Sequence, residues 1–506
     1  MAIEIQFIRK MESPKDIDEL LAEGERLTVE CKKARNSLPN SVWETYSSFA
    51  NTCGGTILLG IEENENESDR MRRFTITGVE NAEKIRKDLW NIVNNKEKVS
   101  ANILNDSDIR TIAYNGKDIV AINVPRAEYG ERPVYINNNL MRGTFRRNHE
   151  GDYHCSEQMI RMMVRDAYDD GNDRLFLDNY SMDDIDIPTL ERYRILFRTE
   201  NPEHIWNELE NKEFLRQLGC FVLNRETREE GLTMAGLLMF GKGLSVRERF
   251  DNLRMDYVDK SGLIGEQRYS DRLTYDGTWE NNLFNFIRMV IPRLTRELPR
   301  PFKMEGIVRK DDTPQHKAVR EAFTTMVIHA DFMIDGLLRV EKYDDRFVLT
   351  NPGLLKLPLA RIYAGGESKS RNQRIQNMLR MIGYGENLGS GFPLILKAWN
   401  ERHWLEPELI EQPELMQVSL ILHIVAGGSV TKDVTKDVTK ELSQRQRIVL
   451  GLMMDDGSIT IPEMAKRVNV AERTIKRDIE VMLTRGYLRR EGGRKDGIWV
   501  VIKPIK

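Results

Sequence analysis

A tetrapeptide repeated three times near the end of the chain constrains its organisation most. Residues 430–441 read Val-Thr-Lys-Asp, Val-Thr-Lys-Asp and Val-Thr-Lys-Glu, soon after Ala426-Gly-Gly-Ser. Nothing in the repeat supplies a hydrophobic core, so we expect a mobile linker over 426–442. It separates a long body from a short C-terminal module. The 506 residues exceed one core and should divide into roughly three to four domains.

The composition is that of a globular protein, with 40% hydrophobic and 31% charged residues. A formal net charge of −3 argues against a uniformly basic nucleic-acid binder, so any such surface must be local. The four cysteines form no Cys-x-x-Cys pair, which excludes a disulfide framework and the usual zinc spacings. No signal peptide or run of eighteen apolar residues is visible, so we expect a cytoplasmic protein without membrane contact.

Charged residues gather at the ends of two predicted strands near the start of the chain. Apolar and polar residues alternate over 27–32, which predicts a half-buried strand whose charged side chains point one way. A second strand over 55–61 ends in two glutamates. The candidates are Glu25, Glu30, Lys32, Glu62 and Glu63. Such carboxylates with a lysine could hold Mg²⁺ or Mn²⁺ against a phosphate. The alternative is a set of solvated charges on an open sheet face.

A second candidate site lies between residues 319 and 392. An apolar helical stripe in 319–332 leaves Glu321 and Thr325 on adjoining faces. A β-hairpin over 337–350 and a turn at Asn351-Pro-Gly353 follow. Ser368-Lys-Ser-Arg-Asn372 then precedes the glycine-rich run 383–391 and a helix starting near Phe392. Glycine amides that open a helix can bind phosphate; the alternative is a flexible helix entry.

The pattern of residues 443–506, the C-terminal module, predicts a winged helix-turn-helix. A helix over 443–455, a short helix over 461–468, a longer one over 472–485 and two strands around a basic tip follow in that order. The module has 14 Lys+Arg against 8 Asp+Glu, a local charge of +6. The DNA-binding candidates are Arg473, Thr474, Lys476, Arg477, Arg494 and Lys495. The alternative is a solvated helix with a protein-contact wing.

Residues 1–165 resemble the AlbA-2 domain that is shared with the Schlafen core. The resemblance rests on Gly24-Glu-x4-Glu-x-Lys32, Ser47-Ser-Phe-Ala-Asn-Thr-Cys-Gly-Gly-Thr56, Gly60-Ile-Glu-Glu63 and Thr144-Phe-Arg-Arg-Asn-His-Glu-Gly-Asp-Tyr-His154. It implies a nucleic-acid-binding α/β domain. In Schlafen nucleases, positions matching Glu25, Glu30 and one of Glu62 or Glu63 form a three-carboxylate metal site. The basic stretch 142–149 could follow a phosphate backbone.

Residues 312–425 resemble the divergent ATPase domain related to the GHKL (gyrase, Hsp90, kinase) fold, an α/β sandwich. The resemblance implies an ATP site formed by Glu321, Thr325, Asn351, Gly353, Arg371, Asn372, Gly389 and Gly391. In the family, an asparagine four residues after the water-positioning glutamate binds magnesium. Thr325 occupies that position here, so we expect weak or absent hydrolysis. Residues 166–311 form a mixed middle region, which resembles that of helicase-related transcriptional regulators.

The expected fold class is therefore α+β with several domains: a Schlafen-like α/β domain, a GHKL-like sandwich and a winged helix. The first functional hypothesis is a DNA-binding transcriptional regulator that senses a nucleotide. The second is a Schlafen-like, divalent-metal-dependent endonuclease acting on RNA (tRNA included) or DNA. A role in phage defence follows from that resemblance alone. Related modules often pair, so we also expect a homo-oligomer.

Overall fold

A computed structural model describes most of the chain. The described residues are 13–23, 28–64, 73–148, 151–168, 171–263, 267–296, 298, 304–305, 308–309, 313–385, 391–425, 449–450, 452–453, 459–468, 475–476, 479, 488–491 and 498–501. The chain divides into two compact units, residues 2–426 and 427–506. The predicted repeat linker lies outside the described residues.

The first unit contains α-helices, short 3₁₀ helices and two larger sheets. Its α-helices are α1 (Pro14–Glu23), α2 (Ser41–Asn51), α3 (Ala82–Val93), α4 (Glu157–Ala167), α5 (Ile187–Glu200), α6 (Asn211–Gln217), α7 (Met234–Phe240), α8 (Gly243–Arg249), α9 (Leu283–Thr295), α10 (Pro314–His329), α11 (Leu359–Ala364), α12 (Gln373–Met381) and α13 (Gly391–Asn400). Its 3₁₀ helices are Asp106–Asp108, Asn172–Arg174, Met182–Asp184, Ile205–Glu208 and Pro413–Leu415.

The strands of the first unit are β1 (Val29–Lys32), β2 (Gly55–Leu59), β3 (Ile61–Glu63), β4 (Phe74–Ile76), β5 (Ile109–Tyr114), β6 (Lys117–Val124), β7 (Phe145–Asn148), β8 (Gly151–His154), β9 (Phe221–Leu223), β10 (Glu230–Leu232), β11 (Leu253–Asp259), β12 (Asp271–Leu273), β13 (Met304–Glu305), β14 (Val308–Arg309), β15 (Gly336–Lys342), β16 (Arg346–Pro352), β17 (Glu408–Gln412) and β18 (Gln417–His423).

The N-terminal sheet has the order β1-β2-β6-β5. β1 and β2 are parallel, with Glu30 beside Ile57, and the other pairs are antiparallel. Helices α2 and α3 cover one face, and Ile17 of α1 packs on the other. Val29 and Cys31 are buried while Glu30 and Lys32 are partly accessible, so the alternation predicted for this strand is confirmed.

The predicted second strand is divided at Gly60. β2 ends at Leu59, and Gly60 adopts a φ of +99° before β3 begins. β3 pairs with β4 and not with the main sheet, so Glu62 and Glu63 lie on a separate hairpin. The prediction of one strand running from 55 to 61 was therefore wrong, because a residue in the left-handed region ends the extended backbone.

The second sheet has the order β12-β11-β15-β16-β18-β17. β11 and β15 are parallel, and β15 and β16 form the predicted hairpin. Helices α9, α10, α12 and α13 contribute to the buried core on one side of this sheet. Strands from the middle region and from the ATPase-like region thus share one sheet. The mixed α/β, multidomain class is confirmed, while the GHKL-like assignment stays a prediction.

The second unit contains α14 (Ile461–Val468) and the antiparallel pair β19 (Leu488–Glu491) and β20 (Ile498–Val501). Its core includes Met464, Ile475, Leu488 and Trp499. The short helix and the strand pair were predicted at these positions. Lys476 is exposed. Arg473, Thr474, Arg477, Arg494 and Lys495 lie outside the described residues, and the winged-helix assignment stays a prediction.

Candidate nucleic-acid and nucleotide sites

The N-terminal charged residues form an ion-pair network around Arg147. The buried guanidinium donates from Nη2 to Glu30 Oε2 at 2.7 Å and from Nη1 to Asp152 Oδ1 at 3.0 Å. Lys32 Nζ donates to the other oxygen of Glu30 at 2.8 Å. Burial would lower the pKa of Arg147, but Glu30 and Asp152 together raise it above its ordinary value. Both oxygens of Glu30 therefore have cationic partners.

Asp152 attaches the β7–β8 hairpin to helix α2. Its two oxygens accept hydrogen bonds from Thr45 Oγ1 and Ser48 Oγ, each at 2.5 Å. The Asp152 carboxylate thus connects Arg147 to a helix that lies more than one hundred residues earlier in the chain. Sequence reasoning missed Arg147 as the shared partner of Glu30 and Asp152, because no local pattern connects Glu30 with positions that far along the chain.

Ser47 and Asn51, which belong to the most specific N-terminal motif, have structural roles. The Asn51 amide donates to Val134 O at 2.8 Å and to Phe145 O at 3.0 Å, and its oxygen accepts from Val134 N. Ser47 Oγ donates to Val134 O at 2.7 Å and accepts from Phe145 N at 3.0 Å. Both side chains are buried and hydrogen-bond to the backbone of two segments, at Val134 and at Phe145.

Two more carboxylates of the predicted metal site, Glu62 and Glu63, are also bound to cations. Glu62 pairs with Lys33 at 2.9 Å, and Glu63 pairs with Arg73. Within the described parts of the chain, no three His, Cys, Asp or Glu residues are arranged to hold a metal ion. Glu25 lies outside the described residues. Glu30, Glu62 and Glu63 as the structure places them therefore do not fit a divalent metal.

The basic stretch 142–149 divides between inward and outward side chains. Arg147 points inward, which contradicts its prediction as a phosphate contact. Arg142 is exposed, and Arg146 pairs across the hairpin with Tyr153, whose side chain is 56% exposed. His154 stacks on Phe145 with ring centroids 4.4 Å apart. An arginine beside an exposed aromatic ring is the combination that stacks on nucleic-acid bases.

A cavity against the second sheet gathers five residues of the predicted nucleotide site. They are Glu321, Thr325, Asn351, Arg371 and Gly391. Leucines of β16, β17 and β18 form an apolar floor, and Phe392 lines another wall. A Cβ at Gly391 would overlap Glu321 Oε1, so the Glu321 carboxylate lies close against the start of α13. Mostly apolar walls with a few polar groups are typical of small-molecule sites.

Two further predicted residues, Asn372 and Gly353, do not line the described cavity. Asn372 is fully buried, and its amide donates to Val327 O and Ala330 O, at the C-terminal end of α10. Gly353, with a φ of +105°, passes beside the Arg371 guanidinium, where a Cβ would come within 3.2 Å of Nη1. Both residues thus support the fold. Gly389 lies outside the described residues.

Arg371 connects helix α4 with the C-terminal end of α10 beside the cavity. Its Nε and Nη2 donate to Asp166 at 3.0 and 2.5 Å, and Nη1 donates to His329 O at 2.8 Å. Burial, together with the charges of Arg371 and Lys356, lowers the pKa of His329 to about 3. The imidazole lines the cavity as a neutral group at physiological pH. Sequence reasoning included His329 and Lys369 only as parts of the stretches 319–332 and 368–372, and it missed Lys356 as a lining residue.

Two arginines of the N-terminal domain bind a loop and a strand that line this cavity. Arg126 binds Glu411 through two hydrogen bonds, at 2.7 and 3.0 Å, and also donates to Leu355 O at 2.8 Å. Arg132 donates to the carbonyls of Leu355 and Lys356 at 3.2 and 2.9 Å. Burial and the nearby charge of Arg126 lower the pKa of Arg132 to about 9. Leu355 and Lys356 both line the cavity.

Three family models match separate parts of the chain. Residues 25–156 match the model described as "Schlafen, AlbA_2". This part of the chain thus forms a domain similar to Schlafen, AlbA_2. Residues 337–420 match "Putative ATP-dependent DNA helicase recG C-terminal", and residues 161–256 match a domain of unknown function, DUF8451. The Schlafen, AlbA_2 domain thus contains the Arg147 network, and the recG-like domain contains the floor of the cavity. Together these matches indicate a nucleic-acid-related protein.

Two solved structures are similar to this chain, one over most of its length and the other over a shorter part. The crystal structure of the DIP2311 protein from Corynebacterium diphtheriae has 16% identity and a TM-score of 0.39, with 96% of this chain and 83% of that one covered. The solution structure of the N-terminal domain of a "putative ATP-dependent DNA helicase RecG-related protein" from Nitrosomonas europaea has 26% identity and a TM-score of 0.22, with 29% and 95% covered. No curated protein sequence matches the chain.

The described helices include none that is both long enough and apolar enough to cross a lipid bilayer.

Proposed function

We propose that this protein is a DNA-binding transcriptional regulator with a nucleotide-sensing cavity. The observation that supports this most directly is the convergence of Glu321, Thr325, Asn351, Arg371 and Gly391 on one apolar cavity. The Schlafen, AlbA_2 and recG-like matches support nucleic acid as the partner. The cavity would bind ATP with feeble turnover, because threonine stands where an asparagine usually binds magnesium. Assembly into a homo-oligomer would place two DNA-binding modules on one operator.

The proposal is tested by measuring duplex DNA binding across a range of salt concentrations, with ATP binding followed in parallel. Lys476 is an exposed cation of the C-terminal unit. We expect Lys476→Ala to weaken duplex binding and to reduce the slope of log K against log[salt] by about one. Lys397→Ala removes an exposed charge from α13 and serves as the control. An unchanged slope in Lys476→Ala would contradict a DNA-facing C-terminal unit.

The second candidate is a metal-dependent endonuclease, and it rests on the Schlafen, AlbA_2 match. The ion pairs of Glu30 favour the regulator, because a metal would have to displace both Arg147 and Lys32. A tRNA pool and duplex DNA are incubated with the protein and Mn²⁺ or Mg²⁺, beside Glu30→Gln. We expect no cleavage by either protein. Metal-dependent cleavage that Glu30→Gln abolishes would establish the nuclease.

A further inference from the structure

Helix α10 lines the cavity with three polar residues at regular spacing. Glu321, Thr325 and His329 are four residues apart on this helix, and all three line the cavity. The helical rise places Thr325 about 6 Å and His329 about 12 Å from Glu321 along the axis of α10. The start of α13 lies at the Glu321 end, because a Cβ at Gly391 would overlap Glu321 Oε1. The cavity therefore has two chemically different ends.

The backbone of His329 is held in place at the end of α10. Arg371 Nη1 donates to His329 O at 2.8 Å, and the backbone N–H groups of Arg371 and Asn372 both donate to the preceding carbonyl at 3.0 Å. The Asn372 amide donates to two further carbonyls of this helix end. Carbonyls at the end of a helix have no partners within the helix. His329 is thus held before a ligand binds, which reduces the entropy cost of binding.

The imidazole of His329 can form hydrogen bonds with a ligand. None of the residues that the structure describes forms a hydrogen bond with its ring nitrogens, and the residue is partly exposed. Burial and the charges of Arg371 and Lys356 lower its pKa, and the opposing charge of Asp166 does not restore it, so the ring is neutral at physiological pH. A neutral imidazole has one N–H donor and one acceptor nitrogen. It can therefore hydrogen-bond to a ligand but cannot compensate the charge of a phosphate.

The two ends of the cavity suit different parts of a nucleotide. Arg371 Nη2 donates to Leu354 O at 2.6 Å, so the lining residue Leu354 lies beside the same guanidinium as His329. The charge of that guanidinium is matched by Asp166. Apolar walls with a few hydrogen-bonding groups suit a flat, uncharged base. At the other end, the backbone N–H groups that begin α13 suit a phosphate.

We propose that His329 hydrogen-bonds to the nucleobase of the ligand and is the residue of this cavity that recognises the base. This inference rests on the proposed function of the cavity as a nucleotide site. The ligand class is a nucleoside or nucleotide whose base presents a donor or an acceptor at its Watson–Crick edge, as adenine does. Recognition by His329 does not require phosphates, so a nucleoside should bind at the same site.

The test is a competition experiment on the full chain, in which a fluorescent, non-hydrolysable ATP analogue is displaced by the unlabelled analogue or by adenosine. Adenosine has the base and the sugar but no phosphate. We expect His329→Leu to weaken the binding of both competitors by the same factor, about tenfold, because leucine leaves a hydrogen-bonding group of the base without a partner. His329→Gln retains a donor and an acceptor and should weaken both by a smaller, again equal, factor.

The control is His403→Gln, which replaces an exposed histidine that does not line the described cavity. This variant should bind both competitors like the wild type. Thermal unfolding at the same pH establishes that each variant is folded. If His329→Leu does not fold, the equal weakening expected for His329→Gln decides the question.

The competition separates the base from the phosphates. If the His329 variants bind the analogue more weakly but adenosine as well as the wild type does, the imidazole acts on the phosphates and the inference fails. Wild-type affinity for both competitors in these variants would also overturn it, as would a failure of adenosine to displace the analogue from the wild type. Each of these results leaves the nucleotide site in place. No binding of the analogue by the wild type would overturn the proposed function itself.

Discussion

Arg147 determines what the acidic residues around it can do. Its guanidinium is fully buried, and removing such a charge from water is costly unless carboxylates compensate it. Glu30 and Asp152 provide that compensation, and Lys32 takes the remaining oxygen of Glu30. The carboxylates are therefore committed to holding the β7–β8 hairpin against α2 and β1.

The Arg147 network can be tested through Asp152. Asp152→Asn retains the shape of the side chain but leaves the buried Arg147 with one carboxylate. We expect the free energy of unfolding of the first unit, measured by calorimetry, to fall by about 3 kcal/mol. Glu80→Gln is the control, because Glu80 and Arg35 form an exposed pair worth about 0–1 kcal/mol. Equal effects of the two variants would show that the network contributes little to stability.

The lowered pKa of His329 predicts how the stability of the folded protein depends on pH. Its folded-state pKa of about 3 lies below the ordinary value of 6.5, so the unfolded chain binds the proton first as the pH falls. The stabilisation is fully present above about pH 6.5 and is lost as the pH falls towards 3, by at most about 1.4 kcal/mol per pH unit. Thermal unfolding between pH 7 and pH 4.5 should show a shallower loss of Tm for His329→Gln than for the wild type.

Asp173 provides a comparison of opposite sign. Burial raises the pKa of its carboxyl from 3.8 to about 6, so the folded state binds the proton more tightly. Its contribution is present below about pH 3.8 and is lost as the pH rises through 6. Stability should therefore fall less in Asp173→Asn than in the wild type as the pH is raised. Over the same pH range, stability should fall less in His329→Gln than in the wild type as the pH is lowered. Parallel changes in both variants would contradict these assignments.

At the scale of elements, local patterns predicted what local forces determine. The alternation over 27–32, the hairpin of β15 and β16 and helix α14 follow from side-chain periodicity and turn residues. The junction at Gly60 was missed because the apolar run continues through it. The pairing of β11 with β15 and the partners of Arg147 join distant parts of the chain. No pattern within either segment carries that information.

Gly60 is the position where backbone geometry decides the path from β2 to β3. Its φ is +99°, and a Cβ would lie 3.0 Å from the carbonyl carbon of Gly78. Gly116 has a similar φ of +76° but open space around it. We expect Gly116→Ala to cost about 1 kcal/mol from backbone strain alone and Gly60→Ala to cost clearly more. Urea unfolding of both variants measures the difference, and equal losses would show that Gly78 moves aside.

At the scale of the first unit, the Schlafen, AlbA_2 domain and the cavity share one wall. Burial would raise the pKa of Glu411, but Arg126 and the Leu355 N–H keep it below its ordinary value. The same arginine donates to Leu355 O, so one buried ion pair holds both strand β17 and the loop that lines the cavity. A ligand that shifts this loop must also alter the contacts of the N-terminal domain.

This shared wall predicts that the proposed nucleotide binding and the proposed nucleic-acid binding are coupled. If nucleotide and nucleic acid favour different positions of the 354–357 loop, saturating ATP analogue should change the Kd for nucleic acid by a factor of about 5–150. Nucleic acid must then change the Kd for the analogue by the same factor, which fluorescence titrations in both orders can check. Arg132→Gln removes hydrogen bonds from Leu355 O and Lys356 O and should bring this factor close to one.

The control for this experiment is Arg361→Gln, which breaks a contact between the same domains at the surface. Arg361 and Glu128 are 49% and 46% exposed, so their pair contributes little energy. Arg361 also lies 3.6 Å from the exposed Glu367 of the cavity, but it does not bind the carbonyls of Leu355 and Lys356. Coupling should therefore persist in Arg361→Gln and disappear in Arg132→Gln. Since both variants lose one positive charge, a difference between them cannot arise from net charge. Equal coupling in both variants would mean that the buried arginine supports the fold without transmitting ligand binding.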